Sequence, residues 1–152
     1  HLLKSENPHI LNISPPLDMN PDWFSGHVAY SMAKFGMSLC VLGMAAEFKD
    51  DGVAVNALWP RTAIATAAVK NVLGGEQLVN ISRGPEIMAD AAYVILTKPS
   101  KEFSGNFCID DTLLAENGVS DFSVYADVPF DQLAPDFFVP EDMPPPEAAK
   151  KS

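Results

Sequence analysis

A long helical pattern between two short apolar segments constrains the fold more than any other feature of this sequence. Residues 8–14, PHILNIS, form an apolar run with proline at each boundary, which predicts a strand buried on both faces of a parallel sheet. Residues 50–60, DDGVAVNALWP, combine a turn, a β-branched run and a terminating proline, which predicts the next strand. Strand, helix and strand of these lengths form a βαβ unit, so we predict an α/β protein with a right-handed crossover.

The helix of this unit is predicted over residues 27–49. Apolar side chains recur at intervals of three and four residues, at Ala33, Met37, Val41, Met44 and Phe48. Much of the opposite side is also apolar, at Phe35, Leu39 and Leu42. A helix that is apolar nearly all round has to be covered on both sides. We expect the sheet to cover one side and a second subunit the other, with a fully internal helix as the alternative.

The remaining elements are predicted from turn residues and capping patterns. Residues 15–26 are rich in proline and predict a loop. A short helix is predicted to end at Gly74 and Gly75, and a second helix over residues 85–98 begins with a proline in its first turn. Residues 103–111, FSGNFCIDD, predict a last strand, which closes a domain over residues 1–111.

Beyond residue 111 the regular patterns weaken. We predict an acidic, aromatic extension that packs on the domain over residues 112–139, and a disordered tail or linker over residues 140–152. Eleven acidic residues and no lysine or arginine lie between Lys101 and Lys150. Such acidic stretches are typical of solvated surfaces.

Charge and cysteine content exclude several classes of partner. The net charge is −10, which argues against nucleic acid and anionic membrane surfaces because both require basic patches. No apolar run of twenty residues is present, so we predict no membrane span. Cys40 and Cys108 predict buried free thiols in a reducing, intracellular compartment, with a disulfide as the alternative. The cysteine and histidine spacing predicts no metal site.

Tyr30 and Lys34 are the first candidates for chemistry. Positions i and i+4 share one face of a helix, and an ammonium group near a phenol lowers the pKa of the phenol from about 10. A tyrosine in this setting can act as a general acid or base. The alternative is chance spacing, in which the tyrosine packs and the lysine extends to solvent.

The ends of the two predicted strands supply further candidates. Ser14 ends the first strand, and Pro60, Arg61 and Thr62 follow the second. Ligands of open α/β sheets bind beyond the carboxyl ends of the strands, so we predict a crevice there that includes Tyr30. A serine at such a position can also be a simple turn former.

Four segments together resemble the C-terminal half of the short-chain dehydrogenase/reductase family: ILNIS (10–14), YSMAK (30–34), VAVNALWP (53–60) and FSGNFCIDD (103–111). The resemblance extends to about residue 138. It implies an α/β fold that is the C-terminal half of a doubly wound, parallel-sheet Rossmann-type domain. The N-terminal dinucleotide-binding half of that domain is absent here, since no glycine-rich loop follows a first strand.

The resemblance also implies roles for five residues. Tyr30 would exchange a proton with the substrate oxygen, and Lys34 would lower the pKa of Tyr30 and hydrogen-bond the nicotinamide ribose. Ser14 would orient and polarise the substrate oxygen. Pro60 would open the loop that meets the nicotinamide, and Ile64 or a neighbour would offer backbone groups to the carboxamide. The implied cofactor is NADP, with NAD as the alternative.

Several positions depart from the family pattern. Arg61 stands where the family commonly has glycine, and Thr66 lies one place later than the usual threonine. Residues 15–26 are longer than is common and are expected to reshape the substrate mouth, with Trp23 and Phe24 as candidate lining residues. Ordinary surface packing of these two aromatic side chains is the alternative.

The missing half leads to an expectation about the whole protein. The chain begins at His1 and lacks the cofactor platform, so we expect it to be part of a longer protein that folds poorly or self-associates when this part is made alone. By resemblance, the longer protein is an oxidoreductase of the peroxisome or mitochondrion that acts on a carbonyl or hydroxyl group of a lipid-like substrate. The alternative is a non-catalytic, dimerising or lipid-handling scaffold with the same fold.

Overall fold

The computed structural model describes residues 1–151. Its strands and helices are β1 (His9–Ile13), α1 (Val28–Glu47), β2 (Ala54–Trp59), α2 (Gly75–Asn80), α3 (Glu86–Thr97), β3 (Phe107–Ile109) and α4 (Asp110–Glu116). A π-helical turn over Val69–Leu73 ends at Gly74, as the predicted short helix does. The sheet order is β1-β2-β3, and β1 and β2 are parallel. The predicted α/β class and βαβ unit are therefore confirmed.

The chain divides into two compact units. The first contains residues 1–59, 92–108 and 138–140. The second contains residues 60–91 and 109–137 and the chain from residue 141 onward. The predicted boundaries at residues 111 and 139 follow sequence composition and stay predictions.

The two parallel strands of the first unit differ in burial. Their register pairs His9 with Ala54 and Ile13 with Leu58. Every residue of β2 is buried, whereas β1 is half-buried and Ile13 is 42% exposed. The prediction that β1 is buried on both faces is wrong for the described residues 1–151, because β1 lies at the edge of their sheet.

Helix α1 packs on this sheet through a stripe that the sequence indicated only in part. The buried residues of the helix are Ser31, Phe35, Ser38 and Val41. Val41 was predicted in the apolar stripe, whereas the predicted positions Ala33 and Met37 are exposed. The two serines can be buried because each hydroxyl donates a hydrogen bond to a loop carbonyl. Ser31 donates to Trp23, and Ser38 donates to Pro15 at 2.6 Å. The buried stripe is thus set by polar contacts as well as by apolar ones.

Several large apolar side chains of α1 are exposed. Met32, Leu39 and Leu42 are 66%, 57% and 54% exposed. By length and composition alone the helix could cross a membrane, a property that core helices of soluble proteins share. Cys40 and Cys108 do not form a disulfide within the described residues, but Cys40 lies exposed on α1 and Cys108 is only half-buried. The predicted burial of Cys40 is therefore wrong.

The second unit is built around a buried cluster of charged side chains. Arg61 Nε donates to both carboxylate oxygens of Asp111 at 2.8 and 2.7 Å, and Arg83 Nη1 lies 3.3 Å from the same carboxylate. Asp110 is fully buried and accepts hydrogen bonds from the backbone N–H groups of Arg61 and Asp111 at 3.0 and 2.7 Å. The interpretation of the acidic stretch as solvated surface is wrong for these two carboxylates.

Residues beyond 111 are more ordered than their sequence indicates. Helix α4 begins at Asp110, where the patterns weaken, and continues to Glu116. The guanidinium carbon of Arg83 lies 5.6 Å from the ring centres of both Phe122 and Phe130. The extension thereby supplies two aromatic rings to the buried arginine.

The environment of Asp110 favours its protonated form. Burial raises the pKa of Asp110 to about 7, and the adjacent Asp111 carboxylate adds to this rise. The two backbone N–H groups that donate to Asp110, and the charge of Arg83, oppose it. Oδ2 of Asp110 is buried without a hydrogen-bond partner in the described part of the chain. Burial of a carboxylate therefore outweighs the positive charge nearby.

This raised pKa predicts a stability that falls as pH rises. The unfolded chain loses the Asp110 proton near pH 3.8, whereas the folded chain keeps it to about pH 7. The folded state binds more protons in this interval, so the stabilisation is complete below it and is lost through about pH 7. Each pKa unit is worth about 1.4 kcal/mol. We expect Asp110→Asn to flatten the decline in unfolding free energy between about pH 5 and about pH 8.

Chemical denaturation across this pH range measures the effect, with exposed Asp131→Asn as the control. The control should keep the wild-type dependence on pH. An Asp110→Asn curve parallel to the wild-type curve would contradict the prediction.

Candidate active site

Ser14 lies directly after β1 and is fully buried. Its Oγ has no hydrogen-bond partner within residues 1–151. The turn that follows is fixed by Ser38, whose hydroxyl donates to the carbonyl of Pro15. A buried hydroxyl without a partner costs about 1–3 kcal/mol, and such groups call for a functional explanation. A ligand oxygen at the end of β1 would supply the missing partner.

Lys34 places a positive charge at the carboxyl ends of β1 and β2. Its Nζ donates to the carbonyl of Ile13, the last residue of β1, at 3.2 Å. The same ammonium lies 5.1 Å from the centre of the Trp59 ring, at the end of β2. Lys34 is thus held at the ends of both strands.

Tyr30 is one helical turn before Lys34 and remains accessible. Its side chain is 49% exposed. One face of its ring stacks on Phe138, with ring centres 5.7 Å apart and planes inclined by 21°. The phenol is therefore fixed against an apolar surface and can still meet a ligand.

The loop before α1 contributes its aromatic side chains to the same surface. Trp23 Nε1 donates to Asp18 at 2.7 Å, and the Trp23 ring meets the edge of Phe138 at 5.8 Å. Phe24 stacks on Phe35 at 5.0 Å. Packing accounts for these contacts, so the role of Trp23 and Phe24 in lining a substrate mouth stays a prediction.

The two residues predicted to contact the nicotinamide lie in the second unit. Pro60 is buried, and Ile64 is 9% exposed. The carbonyl of Ile64 accepts a hydrogen bond from the N–H of Thr66 at 2.7 Å. Thr62 adds a buried hydroxyl that has no partner among the described residues. The cofactor roles of Pro60 and Ile64 stay predictions.

The arginine that replaces the family glycine has a structural explanation. Arg61 is 6% exposed and holds Asp111 through Nε. Its terminal nitrogens donate to Thr112 Oγ1 at 2.8 Å and to the carbonyl of Met143 at 2.7 Å. This arginine therefore ties the loop after β2 to α4 and to the chain beyond residue 141. The paired aspartates at 110 and 111 were the available sequence signal for such a partner.

The side chains at the end of β1 suit the nicotinamide end of a dinucleotide. The Ser14 hydroxyl has no hydrogen-bond partner among the described residues and can donate to a ligand oxygen. Lys34 supplies a positively charged ammonium group. Tyr30 supplies an accessible phenol that can act as an acid or a base. Residues 1–151 contain no glycine-rich turn between a strand and a helix N-terminus that would bind a pyrophosphate.

This βαβ unit carries Tyr30 and Lys34 on α1 and Ser14 directly after β1. Comparison with solved structures identifies the class of protein that has this arrangement. A short chain dehydrogenase from Mycobacterium thermoresistibile is 50% identical, with a TM-score of 0.83 over 95% of this chain and 51% of its own. A Xanthomonas campestris protein described as a dehydrogenase is 51% identical, with a TM-score of 0.85 over 93% and 51%. No family model matches. The chain belongs to the short-chain dehydrogenase/reductase family.

The curated proteins that this chain resembles share one protein name within the family. Hydroxysteroid dehydrogenase-like protein 2 of Danio rerio is 57% identical over 146 residues, or 94% of this chain, and the human protein of that name is 55% identical over 151 residues. The chain spans about a third of the length of these relatives, at 34% and 35%. The chain also spans about half the length of the two solved structures. Both fractions are consistent with the prediction that the chain is the C-terminal half of the family's domain. A more distant structure with bound NADP, at 22% identity and a TM-score of 0.56, shares the fold.

Two serines provide a matched test of the site. Ser14→Ala removes an unpartnered hydroxyl, so we expect the melting temperature to stay the same or to rise. Ser38→Ala removes the donor to the Pro15 carbonyl, so we expect a loss of about 1 kcal/mol or more. Thermal and chemical denaturation measure both. Destabilisation by Ser14→Ala equal to that by Ser38→Ala would show that the Ser14 hydroxyl has a structural partner.

A second test concerns Arg61. Replacing it by glycine, the common family residue, leaves Asp111 buried with the 3.3 Å contact to Arg83 and a 3.4 Å hydrogen bond from Thr112 Oγ1. Breaking a buried ion pair from one side costs about 3–5 kcal/mol, and we expect a loss near the lower end because Arg83 remains. Adding Asp111→Asn should recover part of the loss, as a double-mutant cycle can measure. Additive losses would contradict a direct coupling.

Proposed function

We propose that this chain is the C-terminal half of an NADP-dependent oxidoreductase that acts on a carbonyl or hydroxyl group of a lipid-like substrate. The observation that carries the proposal is the buried, unpartnered Ser14 hydroxyl at the end of β1, beside the helix that presents Tyr30 and Lys34. The family relationship supports the type of reaction. NADP, rather than NAD, and the lipid-like substrate rest on resemblance to the relatives alone.

In this proposal the protein handles the substrate oxygen while bound NADPH supplies the hydride. The Ser14 hydroxyl donates a hydrogen bond to the substrate carbonyl oxygen and holds it in place. The Tyr30 phenol donates its proton to that oxygen as the carbonyl becomes an alcohol. The Lys34 ammonium stabilises the phenolate that remains, and the Ile13 carbonyl holds this ammonium at the strand end. Oxidation of an alcohol uses the same groups in reverse.

The cofactor roles follow the same pattern. Lys34 and Tyr30 would hydrogen-bond the nicotinamide ribose, and Pro60 would open the loop beside the nicotinamide. The N–H of Ile64 is the group that would meet the carboxamide, because its carbonyl already accepts from Thr66. The missing pyrophosphate platform belongs in this proposal to a longer polypeptide. The 152-residue chain is therefore expected to be inactive by itself.

The second candidate function is a non-catalytic, dimerising or lipid-handling scaffold. The observation that favours it is the exposed apolar side of α1, with Met32, Leu39 and Leu42 more than half exposed. The same surface supports the proposal of a homo-oligomer through residues 27–49, which is compatible with either function. A peroxisomal or mitochondrial location is proposed by resemblance to the relatives.

Oxidation of NADPH by the longer protein, with a panel of fatty aldehydes and ketones, tests the two functions. Tyr30→Phe keeps the ring that stacks on Phe138 but removes the proton donor, so we expect kcat to fall by at least about 100-fold. Tyr93→Phe is the matched control, because Tyr93 is 70% exposed on another helix. Its kcat should equal that of the wild type.

The outcome separates the candidates directly. Turnover that depends on Tyr30 supports the oxidoreductase. A wild-type protein as inert as Tyr30→Phe across the whole panel favours the scaffold, and equal activity in both would remove Tyr30 from the mechanism.

A further inference from the structure

Phe138 is an aromatic side chain of the extension that lies against the candidate acid–base residue. It is fully buried. Its ring lies parallel to that of Tyr30 and contacts three further rings, at 5.8 Å from Trp23, 5.2 Å from Phe35 and 5.9 Å from Trp59. The Phe138 ring is thus the common centre of an aromatic cluster on one side of Tyr30.

The backbone at this position is unfavourable for phenylalanine. Phe138 has φ of 66°, and it is the only residue other than glycine with positive φ in the described chain. A bulky side chain in this region is strained by roughly 1–3 kcal/mol, and such strain is found where surrounding contacts or function require it. Glycine or asparagine would relieve the strain but would not supply the ring. The side chain, not the backbone, therefore accounts for phenylalanine here.

We infer that Phe138 is a positioning residue for Tyr30, holding the phenol ring in the orientation needed for proton transfer. Tyr30 is half exposed, so its orientation is not fixed by burial of the whole side chain. A parallel ring beneath it restricts the two side-chain torsions of the tyrosine and leaves the hydroxyl accessible. This inference rests on the proposed function, in which Tyr30 transfers the proton. It makes the C-terminal extension part of the catalytic machinery.

A role in packing alone predicts different behaviour. Loss of a buried phenylalanine costs about 3–5 kcal/mol wherever it lies, so lower stability does not separate the two roles. A positioning role predicts in addition that kcat falls while the KM for NADPH stays the same, because Phe138 acts through the orientation of the Tyr30 ring. It also predicts rescue by any side chain that fills the space beneath Tyr30.

The test compares Phe138→Ala with Phe138→Leu in the longer protein. Alanine and leucine bear similar backbone strain, so the difference between them reports the effect of side-chain volume at position 138, and the Tyr30 resonance reports its effect on that ring. Phe138→Tyr retains the ring, and Phe137→Ala changes the half-exposed neighbouring residue. Besides kinetics, each variant is labelled with 3-fluorotyrosine, and the Tyr30 resonance is assigned through its loss in Tyr30→Phe. Fluorine relaxation then reports the ordering of the Tyr30 ring independently of turnover.

We expect Phe138→Ala to lower kcat by about 10- to 100-fold, the effect of a displaced catalytic group, with less than a twofold change in the KM for NADPH. Its Tyr30 resonance should show a mobile ring. Phe138→Tyr and Phe138→Leu should keep an ordered ring and most of the rate, and Phe137→Ala should match the wild type.

Two outcomes overturn the inference: an ordered Tyr30 ring in a folded Phe138→Ala variant, or Tyr30 mobility that follows melting temperature across all variants regardless of side-chain size. If the wild-type protein reduces no substrate, the proposed function fails, and the fluorine measurement still decides whether Phe138 orders Tyr30.

Discussion

The parallel pairing of β1 with β2 is the interaction on which the candidate site depends. The register places Ile13 beside Leu58, so the residues that follow them in the chain, Ser14 and Trp59, come at the same end of the sheet. Lys34 binds the Ile13 carbonyl and lies over the Trp59 ring, so its ammonium has a defined position only while both strands are in register. A slip of one residue would reverse the two faces of a strand. The strand pairing therefore determines the positions of the candidate site residues as well as the burial of the core.

The sequence predicted the elements of the first unit well because their signals are local. The apolar runs of β1 and β2 and the helical pattern of α1 lie within single segments, and α1 was predicted within two residues of its bounds. The buried stripe of α1 was not predictable in this way. Ser31 and Ser38 are buried because they donate to carbonyls of the preceding loop, and a hydrophobic pattern contains no information about such partners.

Local sequence patterns also failed to predict the burial of charged residues in the second unit. Asp110 and Asp111 stand in a stretch that contains only acidic charges, and composition therefore indicated a solvated surface. Their partners, Arg61 and Arg83, precede them by 49 and 28 residues, beyond the reach of local patterns. The cluster also explains why arginine at position 61 is compatible with the family fold, since its guanidinium is engaged with Asp111 and lies buried. A buried ion network is weak evidence for net stability, whereas removal of one partner is costly because it leaves a buried charge uncompensated.

The location of Phe138 changes the interpretation of the extension that carries it. Composition separates this segment from the domain, because prolines and acids are frequent and regular patterns are absent. The structure places its most strained residue at the centre of the aromatic cluster beside Tyr30. Backbone conformation alone would favour glycine or asparagine at a left-handed position. A phenylalanine there is explained by the contacts that its side chain makes with the surrounding rings, and the position of the phenol then depends on a residue more than one hundred positions away in the chain.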